Sequence, residues 1–155
     1  MHGPVDSRPP LTSLVDELAR LYGRLKSAFA AAWRTAGLGE SEVMVLTAVV
    51  EAERPPTVPQ IGRSLGQARQ LIQRAVNALV EQGLIETLPN PDHKRAMLLR
   101  ATDAGFACKR RIDAEADAIG KALGEGVDLD NARAAAALMR IVRKQLEARL
   151  RAGDL

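Results

Sequence analysis

Between Thr57 and Val80 this 155-residue chain carries three arginines and no aspartate or glutamate. Within that stretch Arg69, Gln70, Gln73, Arg74 and Asn77 recur at steps of one and three residues. On a helix turning about 100° per residue they fall within about 140° of one another, and Leu71, Ile72, Ala75, Val76 and Leu79 take most of the remaining arc. A face of guanidinium and amide groups without a carboxylate suits one kind of surface. Arginine can donate to both acceptors on the major-groove edge of guanine, and glutamine or asparagine pairs with adenine in the same two-pronged way. The arginines and the free amides at the helix start would add bonds to phosphate oxygens. The implied partner is double-stranded DNA.

The charge distribution supports this reading. The net charge is only +3, but Thr57 to Arg100 holds six bases (Arg63, Arg69, Arg74, Lys94, Arg95, Arg100) against Glu81, Glu86 and Asp92. Elsewhere bases and acids balance, sixteen of each. A solvated helix face would normally interleave glutamate with lysine, whereas a phosphate-facing surface would not.

The elements that must position these residues follow from period and punctuation. The first ten residues hold three prolines and are expected to form a tail. From Leu11 to Trp33 apolar residues keep a spacing of three and four, predicting a long amphipathic helix that Gly37 and Gly39 stop. Ser41 is expected to cap a second helix, Glu42 to Glu53, closed by Pro55-Pro56. Thr57 caps a short third helix with Pro59 in its first turn, and Gly66 ends it. A fourth, from about Ala68 to Gln82, follows directly, so the pair reads as a helix-turn-helix. The period then shortens. Residues 84–88 and 96–100 are β-compatible runs flanking Pro89-Asn90-Pro91-Asp92-His93-Lys94-Arg95, a hairpin with a basic tip. Thr102 caps a fifth helix running to about Leu123, and Asp128 or Asp130 a sixth reaching about Arg151. The fold class is mainly α with a small β-hairpin wing, a winged helix-turn-helix head at 57–100 set between long helices at 11–36 and 102–151.

The stretch from Ile61 to Ile85, including Arg63-Ser64-Leu65-Gly66 and Arg69-Gln70-Leu71-Ile72-Gln73-Arg74, resembles the MarR family of bacterial transcriptional regulators. So does Asn90-Pro91-Asp92-His93-Lys94-Arg95 with the following Thr102-Asp103-Ala104-Gly105. The resemblance extends in helix order over nearly the whole of residues 11–155, read as a single MarR-like domain. It implies that the fourth helix enters the major groove and that Arg95 at the wing tip reaches into an adjacent narrow minor groove. His93 and Lys94 on the same loop are further candidate DNA contacts. Two positions depart from the family pattern. His93 stands where an aspartate usually precedes the wing arginine, and it reads either as a solvated loop histidine or, protonated, as a phosphate donor. Ala68 stands where the recognition helix often begins with Ser or Thr, which removes a side-chain cap.

The outer helices carry apolar stripes, Cys108, Ile112, Ala116, Ile119 and Leu123 on the fifth and Ala135, Met139, Val142, Leu146 and Leu150 on the sixth. Such stripes serve either an intramolecular core or a seam between chains. The resemblance implies the second, a homodimer interlocked through its terminal helices and reading an inverted repeat. It also implies a small aromatic or lipophilic effector, for which Tyr22, Phe29 and Trp33 could line a pocket or equally pack as core.

Other classes are disfavoured. His2 and His93 are the only histidines, so no histidine metal site or triad can be assembled, and there is no nucleophile elbow or phosphate-binding glycine loop. No enzyme, no metal and no cofactor is expected. No apolar run reaches the roughly 18 residues of a membrane span, and none resembles a signal peptide. Cys108, the single cysteine, reads as packed core and fits a reducing cytoplasm. The alternative function is a helical protein-interaction or scaffold module whose head no longer binds DNA.

Overall fold

The computed structural model describes residues 8–151. Most of the expected tail, and residues 152–155, lie outside that range; of the tail's last residues, Pro10 already opens the first helix. The order is α1 (Pro10–Thr35), α2 (Glu40–Val50), α3 (Val58–Leu65), α4 (Arg69–Glu81), β1 (Ile85–Leu88), β2 (Leu98–Ala101), α5 (Asp103–Leu123) and α6 (Leu129–Arg151).

Local chemistry accounts for most boundaries. Thr57 opens α3 through a reciprocal pair: its Oγ1 accepts from the Gln60 amide at 3.4 Å, and Gln60 Oε1 accepts from the Thr57 amide at 2.8 Å. Gly66 closes that helix in the left-handed region (φ 61°, ψ 33°), which glycine enters without steric cost. The Gln67 amide then returns to the Gly62 carbonyl at 2.9 Å, and this sharp turn delivers the chain into α4. Asp128, of the two candidates, caps α6 by accepting from the amides of Asp130 and Asn131. Two expectations need correction. Gly39, not Ser41, is the cap residue of α2, because the Glu42 carboxylate reaches back to the Gly39 amide at 3.3 Å. The helix also stops at Val50, with Glu51 as its cap residue, before the prolines are reached.

The core belongs to the head. Leu46 of α2, Ile72 and Leu79 of α4, Ile85 of β1 and Leu99 of β2 are the largest of its fully buried residues, and Cys108 and Ile112 of α5 complete it. By contrast α1 buries only Ala32 fully, and no described side chain of α6 is fully buried. The stripe expected on α5 is thus divided. Its first half closes the head, while Leu123 at its far end is exposed.

β1 and β2 pair antiparallel, Ile85 opposite Ala101 and Leu88 opposite Leu98. The Leu99 amide donates to the Pro56 carbonyl at 2.8 Å, tying the segment before α3 to the hairpin. At the base, Thr102 Oγ1 donates to the Gly83 carbonyl at 2.6 Å and also caps α5 by accepting from the Gly105 amide. The Thr102 amide donates to the Leu84 carbonyl at 3.1 Å. That carbonyl lies so near Gly105 that a β-carbon there would sit 2.1 Å from its oxygen. Thr102 and Gly105 therefore fix the hairpin's direction relative to α5, and with it the position of the wing.

Candidate nucleic-acid interface

Helix α4 presents its polar arc outward. Arg69, Gln70, Gln73, Arg74 and Asn77 are all exposed, while Ile72, Ala75, Val76 and Leu79 are buried against the head. Gln73 Nε2 donates to Asn77 Oδ1 at 2.9 Å, so these two amides form one unit one turn apart. Leu71, on the apolar arc of the wheel, is 38% exposed at the edge of the polar arc. Burial is limited to a narrower arc than the apolar residues occupy, because only one side of α4 meets α2, α3 and β1.

Ala68 gives the N-terminus of α4 no side-chain cap, and the first turn contains no acid. Its leading amides are therefore available to an anion, and the helix dipole favours one there.

The wing loop turns on Asn90, whose Oδ1 accepts from the Asp92 amide at 3.0 Å. His93, Lys94 and Arg95 beyond it are exposed. Arg95, His93 and Arg69 line one cleft of about 860 Å³, together with Arg54, Gln60 and Arg63. The fold thus brings together the start of α4, the first helix of the pair and the wing. Asp92 is the one carboxylate on the cleft wall. Among the described residues Arg54, Arg63, Arg69, Arg74, Lys94 and Arg95 form no ion pair; in the wing strands only Arg100 does, with Glu86 directly across at 2.8 Å. Unpaired cations lining a cleft raise a positive potential suited to a polyanion.

Sequence reasoning left Arg54 and Arg63 out of the candidate set. Arg54 precedes the cap at Thr57 and follows Glu51 and Glu53, so a charge window starting at Thr57 omits it. Arg63 was legible: Gln60, Arg63 and Ser64 share the exposed face of α3 at helical spacing.

Tyr22, Phe29 and Trp33 lie on one face of α1, each in different surroundings. Trp33 packs against the head core, Phe29 lies beside Gly120 of α5, and Tyr22 is half exposed beneath the Lys26 ammonium at 5.7 Å. Among the described residues no cluster of three or more His, Cys, Asp or Glu could hold a metal, and no helix is long and apolar enough to cross a membrane.

Known proteins share this fold. The sequence model of the MarR family matches residues 36–96, from the end of α1 to the wing. Uncharacterised proteins of Mycobacterium tuberculosis and Mycobacterium bovis are 33% identical over 118 residues, covering 76% of this chain and 81% of theirs. A MarR-family transcriptional regulator from Rhodococcus sp. RHA1 superposes with a TM-score of 0.77 at 21% identity, over 88% of this chain and 96% of its own. The transcriptional repressor CouR, solved on a 23-mer DNA duplex, superposes with a TM-score of 0.72 at 21% identity, over 88% and 99%. CouR from Rhodococcus jostii RHA1 bound to p-coumaroyl-CoA gives 0.70, also at 21%, over 81% and 88%. At these identities the structural likeness speaks for the fold. With the family sequence model spanning the helix-turn-helix and most of the wing, and relatives aligned over three quarters of the length, the chain belongs to the MarR family of winged-helix transcriptional regulators.

Proposed function

We propose that this protein is a homodimeric, sequence-specific reader of double-stranded DNA that represses transcription from an inverted-repeat operator in the cytoplasm. The carrying observation is the set of unpaired cations that α3, α4 and the wing bring to one side of the head, with Asp92 alone opposing them in the cleft. Arg69, Gln70, Gln73, Arg74 and Asn77 read base edges in the major groove, and His93, Lys94 and Arg95 follow the flanking backbone and minor groove. Arg54 and Arg63 neutralise phosphates between them.

Dimerisation rests on the outer helices. Leu11, Val15 and Leu21 of α1 and Leu138, Ile141 and Leu150 of α6 are each close to half exposed or more. Covering the exposed half of such a side chain stabilises by about 1 kcal/mol, so two copies exchanging these arms gain what one copy cannot bury alone. A two-fold then sets the two heads toward half-sites in opposite orientation. An aromatic or lipophilic effector would act by altering the spacing of the heads. CouR's complex with p-coumaroyl-CoA is the precedent among the structural relatives, and Tyr22, Phe29 and Trp33 are the candidate lining residues.

Selection of bound duplexes from random DNA tests the whole reading. A palindromic consensus is expected, with affinity falling steeply as salt rises. Arg74→Ala and Arg95→Ala should each weaken binding to that consensus by about 1–3 kcal/mol with the fold unchanged. Wild-type affinity in both variants would overturn the site. Binding that ignores salt would favour the protein-interaction alternative.

A further inference from the structure

Leu71 interrupts the pattern of α4. In the first two turns of that helix the other exposed side chains are Arg69, Gln70, Gln73 and Arg74, all hydrogen-bonding groups. Leu71 stands at the edge of their arc, next to Arg74, with 38% of its surface in water. It contributes little to the core, which is filled from Ile72, Ala75, Val76 and Leu79.

On the reading of α4 as the helix that enters the major groove, we infer that Leu71 packs against the 5-methyl group of a thymine beside the base taken by Arg74. The thymine methyl is the one apolar group that base edges present in that groove. Residues three apart on a helix have β-carbons roughly 5–6 Å apart, and successive bases on a strand rise about 3.4 Å. Leu71 and Arg74 therefore meet neighbouring or next-neighbouring pairs. The surroundings select this occupant. A leucine flanked on one side by Arg74 and Gln70 of the acid-free first turn adjoins a surface suited to a polyanion, which an apolar protein partner would leave with unmatched charge.

The test uses the full-length chain and the duplex recovered by selection. Each thymine is replaced singly by deoxyuridine, which removes only the methyl, and binding is followed by fluorescence anisotropy at fixed salt. One thymine per half-site should respond, with a loss of about fourfold, the worth of one buried methyl-sized group. Leu71→Ala, at an exposed helical position where alanine is well tolerated, should bind the unsubstituted duplex more weakly by about the same factor and no longer distinguish thymine from deoxyuridine there. Leu71→Met should retain the distinction. The inference is overturned if no thymine responds, or if Leu71→Ala keeps the wild-type deoxyuridine profile. A chain that selects no duplex at all overturns the DNA reading and this inference with it, so the two failures are told apart by the selection step.

Discussion

Substituting alanine for glycine at two positions of α5 should have opposite effects, and the difference measures how the wing is held. At Gly105 the new β-carbon would lie 2.1 Å from the Leu84 carbonyl oxygen and 3.1 Å from its carbon. A backbone carbonyl cannot swing aside like a side-chain tip, so β1 must move by about 1 Å to restore contact distance, an overpacking cost of about 1–3 kcal/mol. The same movement stretches the 3.1 Å bond from the Thr102 amide to Leu84, removing about 1 kcal/mol. Helix propensity returns at most about 1 kcal/mol. The net expectation is a loss of about 1–3 kcal/mol. For a chain of this length that lowers the melting temperature by roughly 2–4 °C per kcal/mol. At Gly120, on the same helix, the nearest atom would be Phe29 Cζ at an ordinary 3.8 Å. There the propensity gain stands nearly alone, and Gly120→Ala should stabilise by up to about 1 kcal/mol. Urea unfolding followed by circular dichroism, at one protein concentration because the proposed subunit association would add to apparent stability, compares the two. If Gly105→Ala proves as stable as Gly120→Ala, the Leu84 carbonyl does not rest on α5, and the account of how the wing is positioned fails.

Two further substitutions probe the scaffold. Thr57→Ala removes the hydroxyl that caps α3 and should cost about 0.5–2 kcal/mol in a thermal melt, whereas Thr57→Ser should retain most of it; equal melting of the two would show that the capping pair contributes nothing. Lys109 is nearly buried, with its ammonium 2.5 Å from Asp113 and 3.9 Å from Glu51, yet both carboxylates are more than half exposed and can rehydrate once it is gone. Lys109→Met, which keeps the packed stem, should therefore stay within about 1 kcal/mol of wild type in urea midpoint, and a loss above about 3 kcal/mol would mean that an uncompensated buried charge had been left behind.

The local elements were legible in the sequence because their causes are local. Thr57 with Gln60, Gly66 and Thr102 each act within a few residues, and they set the limits of α3 and the starts of α4 and α5. The polar arc of α4 was legible for the same reason, since helical period alone gathers Arg69, Gln70, Gln73, Arg74 and Asn77. What the sequence could not supply was set by contacts between distant segments. Leu71 stays exposed on the apolar arc because hydrophobicity says which residues can be buried, while the placement of α2, α3 and β1 decides how wide the buried arc is. Arg54 joined Arg95 in one cleft through the return of the hairpin, which Pro56 and Leu99 hold by a single backbone bond. The division of the α5 stripe between head core and exposed end depends on where the head stops, a property of packed volume. The requirement for glycine at 105 comes from a carbonyl twenty-one residues earlier in the chain, a proximity that only the folded hairpin creates.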